Sequence, residues 1–173
     1  PPIDVLFIDA SAGLKFQLGL VDKFYRNVRA GGYLIHQDFF YYRSPALPPL
    51  MAALHPAFVP VCNADTSMIY RRTEAPMPVL AVDVEAQLPR EMERFGGLKE
   101  PGGAVIGTQR VYWLLMHGRI EEAARLTTAI VSSQRQKQAW DNLRGAWGEF
   151  SRLRDKGLLK DEVERQLSEC LHA

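Results

Sequence analysis

Ile3-Asp4-Val5-Leu6-Phe7-Ile8-Asp9 and Gly32-Tyr33-Leu34-Ile35-His36-Gln37-Asp38 are two short apolar runs, and each ends in an acid. The continuous apolar core of the first (Val5, Leu6, Phe7, Ile8) is what a strand covered on both faces requires. Between them Leu14, Leu18, Val21, Phe24, Tyr25 and Val28 recur at helical spacing, and a basic Arg29 precedes Gly31-Gly32 as a helix stop. The unit therefore reads strand, crossover helix, parallel strand. In open α/β sheets ligands bind beyond the carboxyl ends of the strands, so Asp9 and Asp38 are expected side by side at a binding edge.

Working outward, an aromatic loop Phe39-Phe40-Tyr41-Tyr42 leads to Pro48-Pro49, which opens a short helix through about Leu54. Phe58 to Cys62 and Ser67 to Tyr70 read as a hairpin around the turn residues Asn63-Ala64-Asp65-Thr66. Pro60 inside the first of these strands calls for an edge position or a bulge. The α/β part spans residues 1–73 and a helical extension spans 74–173. The extension is expected to hold helices over 82–95, 104–117, 120–133, 136–156 and 160–171, separated by glycine and proline punctuation.

Composition bounds the partners. The formal net charge is +1, with 7 basic and 5 acidic residues in 1–73 and 14 and 15 in 74–173, so charge argues neither for nucleic acid nor for an anionic membrane. No apolar run approaches the roughly 20 residues of a membrane span, and no signal-peptide pattern is present. Cys62 and Cys170 form no disulfide framework, which is in keeping with a reducing, cytoplasmic compartment. Pro1-Pro2 without an initiator methionine suggests processing, truncation or disordered preceding residues.

The strand ending in Asp9, the helix, Gly31-Gly32 and the strand ending in Gln37-Asp38, continued by the helix after Pro48-Pro49 and the terminal hairpin, resemble the C-terminal half of a class I S-adenosylmethionine-dependent methyltransferase over about residues 3–72. The resemblance implies a partial Rossmann-like sheet, here its fourth to seventh strands. It also implies S-adenosylmethionine as cofactor and a small-molecule methyl acceptor, with oxygen the expected target. By the same resemblance Asp9, His36 and Asp38 line the acceptor side. In the metal-dependent members, the positions of Asp9, Gln37 and Asp38 hold Mg²⁺; Gln37 stands where a carboxylate is more usual. The family binds its cofactor with a glycine-rich loop and an acid in the first half of the sheet. Neither precedes Ile3, so without residues before Pro1 the chain is not expected to bind the cofactor in that way.

Each candidate has a plainer reading. Asp9 can cap the following turn, Asp38 can bond loop amides, and His36 can be a structural hydrogen-bonding histidine instead of a general base. Lys15 can reach the same edge or be a solvated helix lysine, and Phe39 to Tyr42 can stack on an acceptor or pack the loop. Residues 105–131 resemble the inter-helix turn of a tetratricopeptide-type hairpin around Gly118-Arg119, a single degenerate copy. Trp113, Trp140, Trp147 and Phe150 are expected in the helical core, and Gln134 to Gln138 reads as a solvated turn. A non-catalytic module, a half-sheet platform whose helices bind a protein partner or a second copy, stands as the alternative.

Overall fold

The computed structural model of the chain describes residues 1–10, 13–133 and 137–157. Among these residues it is an α/β structure with a four-stranded mixed sheet and six α-helices. The strands are β1 (Ile3–Ile8), β2 (Val28–His36), β3 (Phe58–Ala64) and β4 (Ser67–Arg72), in the spatial order β1-β2-β4-β3. β1 and β2 are parallel, joined through α1 (Leu14–Lys23). β4 runs antiparallel to both β2 and β3, so the closing hairpin folds back and inserts its second strand against β2.

The crossover differs in detail from the expected one. Its helix ends at Lys23, a 3-10 turn covers Tyr25–Asn27, and Val28 already belongs to β2. Gly31-Gly32 is not a helix stop but a bulge inside the strand. Ile3 pairs with Val28 and Val5 with Tyr33, so Asp4 alone spans four residues of β2. Gly31 has φ 82°, and a Cβ on Gly32 would lie 2.9 Å from the Asp4 and Arg29 carbonyl oxygens, which is why both positions need glycine. Asp4 and Arg29 pair across the bulge.

The hairpin follows the expectation closely. β3 is the outer strand, and Pro60 stands at a register shift between Pro60 and Cys62, so proline lies both at an edge and beside a bulge. α2 (Leu47–Ala53) carries Pro48 and Pro49 in its first turn, where the missing N–H groups lack intrahelical partners anyway.

The helical region comprises α3 (Val84–Arg94), α4 (Pro101–Met116), α5 (Ile120–Ser133) and α6 (Lys137–Asp155). Asp83 caps α3 by accepting from the Ala86 N–H. Gly102-Gly103 lie inside the first turn of α4 rather than before it, and position 103 needs glycine because a Cβ there would run into the Gly97 backbone. α4 is apolar on nearly every side and is the central helix, with α3, α5 and α6 packed around it. Gly118, at φ 72°, turns the chain from α4 into α5. Phe150 is buried and Trp113 and Trp147 are half-buried, whereas Trp140 lies on the surface: α6 buries Ala139, Leu143 and Ala146, and position 140 falls off that face. The expected helix 160–171, Cys170, Ser11, Ala12 and Arg135 lie outside the described residues.

One continuous core joins the sheet to the helices. Leu34, His36, Tyr70, Met68 and Phe58 form the covered face of the sheet, under Tyr25 and Phe39. The other face is open. Val5 and Phe7 are each 55% exposed and Tyr33 40%. Val5 and Tyr33 are register partners, so this apolar surface is continuous from β1 to β2. No helix among the described residues is long and apolar enough to cross a membrane.

Candidate functional site

The parallel pairing of β1 with β2 decides where the acids fall. Ile8 is the register partner of His36, and the Gln37 N–H donates to the Ile8 carbonyl at 2.9 Å, which carries the ladder one residue past β2. Asp9 and Asp38 thus leave the sheet together at its carboxyl edge. Asp9 is exposed and Asp38 half-buried. Burial raises the Asp38 carboxyl above its ordinary pKa, and the neighbouring Asp9 charge raises it further. Asp38 also adopts φ 57°, a left-handed conformation unusual for a side-chain-bearing residue and one that Asp tolerates better than most. Backbone held this way persists where surroundings over-determine it, and such positions cluster at functional sites.

His36 is not beside the acids in the open. Its side chain has no exposed surface, and its Nε2 shares a 2.5 Å hydrogen bond with the hydroxyl of Tyr25, itself fully buried. Desolvation holds the imidazole neutral, lowering its pKa to about 4, and drives the Tyr25 phenol far above its ordinary value. A sealed, neutral histidine does not touch an acceptor from this position; it supports the edge from beneath. Among the described residues its buried Nδ1 has no hydrogen-bond partner, and neither has the Oε1 of Gln17, whose Nε2 donates to the Ala10 carbonyl at 3.3 Å.

Lys15 is exposed on the first turn of α1. Of the aromatic loop, Phe39, Phe40 and Tyr42 are core residues, and of the four rings Tyr41 alone is half-open. The packing is edge-on: Phe39 meets Phe40 at 5.0 Å and Phe40 meets Phe95 at 5.8 Å between ring centroids.

The donor set is small. Among the described residues no group of three or more His, Cys, Asp or Glu is placed to hold a metal. Two carboxylates and the Gln37 amide can hold Mg²⁺ only with water or substrate oxygens completing its shell, which is how that ion is commonly bound. For S-adenosylmethionine the described residues offer no cradle. Gly31-Gly32 lies within a strand and Gly102-Gly103 within a helix, so neither forms a glycine turn between strand and helix.

Three residues at or around this edge have no signal in the strand pattern: Gln17, Gln109 and Asn142. Gln109 and Asn142 donate to loop carbonyls after Asp38. What marks them in sequence is a polar amide inside an apolar helical stripe, visible for Gln17 between Leu14 and Val21 and for Gln109 within Val105 to Leu115.

Comparison with protein-family models, with curated proteins and with solved structures returned no match.

Proposed function

We propose that the chain is the acceptor-side half of a Rossmann-like methyltransferase that transfers a methyl group from S-adenosylmethionine to an oxygen of a small molecule. The observation that carries this reading is the strand order β1-β2-β4-β3, with only β1 and β2 parallel and an acid leaving each of them at the same edge. The cofactor side is then supplied beyond the outer edge of β1.

The two sheet edges support that placement. Natural edges are blunted by proline, bulges or charge. β3 has Pro60 and a register shift. From Val5 to Ile8, β1 has neither, and it carries half-exposed Val5 and Phe7. With Tyr33, the register partner of Val5, these form an exposed apolar patch on β1 and the neighbouring β2. A strand of this composition is built to be covered.

At the carboxyl edge Asp9 and Asp38 orient the acceptor hydroxyl, and one of them takes its proton; a raised carboxylate pKa makes Asp38 the better base. If Mg²⁺ is bound, Asp9, Gln37 and Asp38 are the residues that hold it. The experiment is transfer of labelled methyl from S-adenosylmethionine into a small-molecule extract, by the whole polypeptide as its cell makes it. Asp9→Ala and Asp38→Ala are expected to abolish transfer while the circular-dichroism spectrum is unchanged. Full activity in both would remove these roles.

A second reading is a non-catalytic platform, favoured by the apolar surface that Val5, Phe7 and Tyr33 leave exposed. In it the apolar surface about β1 docks a protein partner or a second copy, and no methyl transfer is found.

A further inference from the structure

The three backbone carbonyls that follow Asp38 are all held by amide side chains from distant helices. Gln109, fully buried in α4, donates its Nε2 to the Phe39 carbonyl at 2.6 Å and to the Tyr41 carbonyl at 3.0 Å. Asn142, in α6, donates its Nδ2 to the Phe40 carbonyl at 2.9 Å and to Thr108 Oγ1 at 3.1 Å. Thr108 in turn donates to the Val105 carbonyl at 2.6 Å, which fixes its lone pairs toward Asn142. Further along, Tyr42 and Arg43 both donate to Glu149 of α6, at 3.2 and 2.6 Å. From the other side the Phe40 N–H donates to the Thr66 carbonyl at 3.2 Å.

A loop buried this deeply needs partners for its carbonyls, and simple satisfaction of the backbone accounts for one of these bonds as well as another. Two features go further. Gln109 gives both of its N–H bonds to the loop while its Oε1 is buried with no partner among the described residues, an arrangement that favours loop position over satisfying that oxygen. And the clamped carbonyls begin at the residue next to Asp38, whose left-handed backbone turns it beside Asp9 and is tied by the Tyr41 N–H to the Asp38 carbonyl at 3.0 Å.

We propose that Gln109 and Asn142 are positioning residues for the acid pair: the helical layer holds Asp38 beside Asp9 through the carbonyls of residues 39–41. This gives the helices a task in the site, and it rests on the reading of that edge as the acceptor site. The helical region then acts on the chemistry without touching the acceptor.

The test is nuclear magnetic resonance of the 173-residue chain, following the backbone amide and side-chain carboxyl resonances of Asp9 and Asp38. Gln109→Met removes both donors at nearly constant volume, and Asn142→Ser is a milder second variant should the first fail to fold. Ile130→Ala, a buried change on α5 that bonds to none of the loop carbonyls, is the destabilised control. Both clamp variants are expected to shift the Asp38 and Asp9 resonances, while Ile130→Ala leaves them in place. Resonances unmoved by both clamp variants, or moved equally by the control, overturn the proposal. Because this readout needs no turnover, failure of methyl transfer in the wild-type protein counts against the proposed function and leaves the positioning question answered separately.

Discussion

The Tyr25 hydroxyl lies 2.5 Å from His36 Nε2, and neither side chain has any surface open to solvent. The pair joins the turn after α1 to the end of β2, directly beneath the edge where the two acids emerge. Tyr25 also meets Phe58 edge-on, so one ring ties the crossover, the parallel strand and the hairpin together.

A pH dependence follows from His36. In the unfolded chain it takes a proton near its ordinary pKa of 6.5, and in the folded chain only near about 4. Between those values the unfolded state binds the extra proton. Stability from this group is therefore full above about pH 6.5 and is lost as pH falls toward 4, by on the order of 3 kcal/mol. Urea unfolding of wild type and His36→Phe across pH 4 to 8 reads it. The wild type is expected to weaken over that window, and the variant to show a flatter profile.

Tyr25→Phe keeps the ring against Phe58 but leaves Nε2 of a buried histidine with nothing to bond. A loss of about 1–3 kcal/mol is expected at neutral pH. An unchanged urea midpoint would show that the hydroxyl contributes nothing to the fold.

Asp38 behaves in the opposite sense to His36. Burial and the Asp9 charge raise its carboxyl pKa, so its ionised form disfavours the folded state at pH 7, and that penalty vanishes below its ordinary value. Asp38→Asn removes the charge, and Asn tolerates the left-handed backbone. The variant is expected to be more stable than wild type at pH 7 and no more stable at pH 3. A variant less stable at pH 7 would instead mark Asp38 as a structural cap.

Two glycines of α6 separate packing from propensity. A Cβ on Gly145 would approach the ring of buried Tyr42 to 2.5 Å, whereas one on Gly148 meets nothing within 4 Å. Gly145→Ala is expected to cost about 1–3 kcal/mol through overpacking. Gly148→Ala is expected to gain about 0.5–1 kcal/mol from helix propensity. Equal effects from the two in thermal melts would contradict the contact between α6 and the aromatic loop.

The α/β unit was legible because its signals are local. Apolar strands and Pro60 at an edge each state their own geometry, and α5 falls where pattern places it; the hairpin does too, except that Asn63 and Ala64 continue β3 and the turn is Asp65-Thr66 alone. Gly31-Gly32 misled because a glycine pair after a basic residue serves equally as helix stop and as strand bulge, and only the pairing with Asp4 chooses between them. Asp9 and Asp38 come together because parallel register is short-range. The burial of His36 and the amide clamp were not legible, since both depend on partners 11 to 102 positions away in the sequence. Trp140 lay outside the core for the same kind of reason: which face of α6 turns inward is decided by α4.

Calorimetric titration of S-adenosylmethionine into the whole polypeptide as its cell makes it, alongside residues 1–173 alone, tests the methyltransferase reading most directly. Saturable one-to-one binding by the whole polypeptide and none by residues 1–173 is expected. No binding by either would contradict it and leave the half-sheet as a non-catalytic platform.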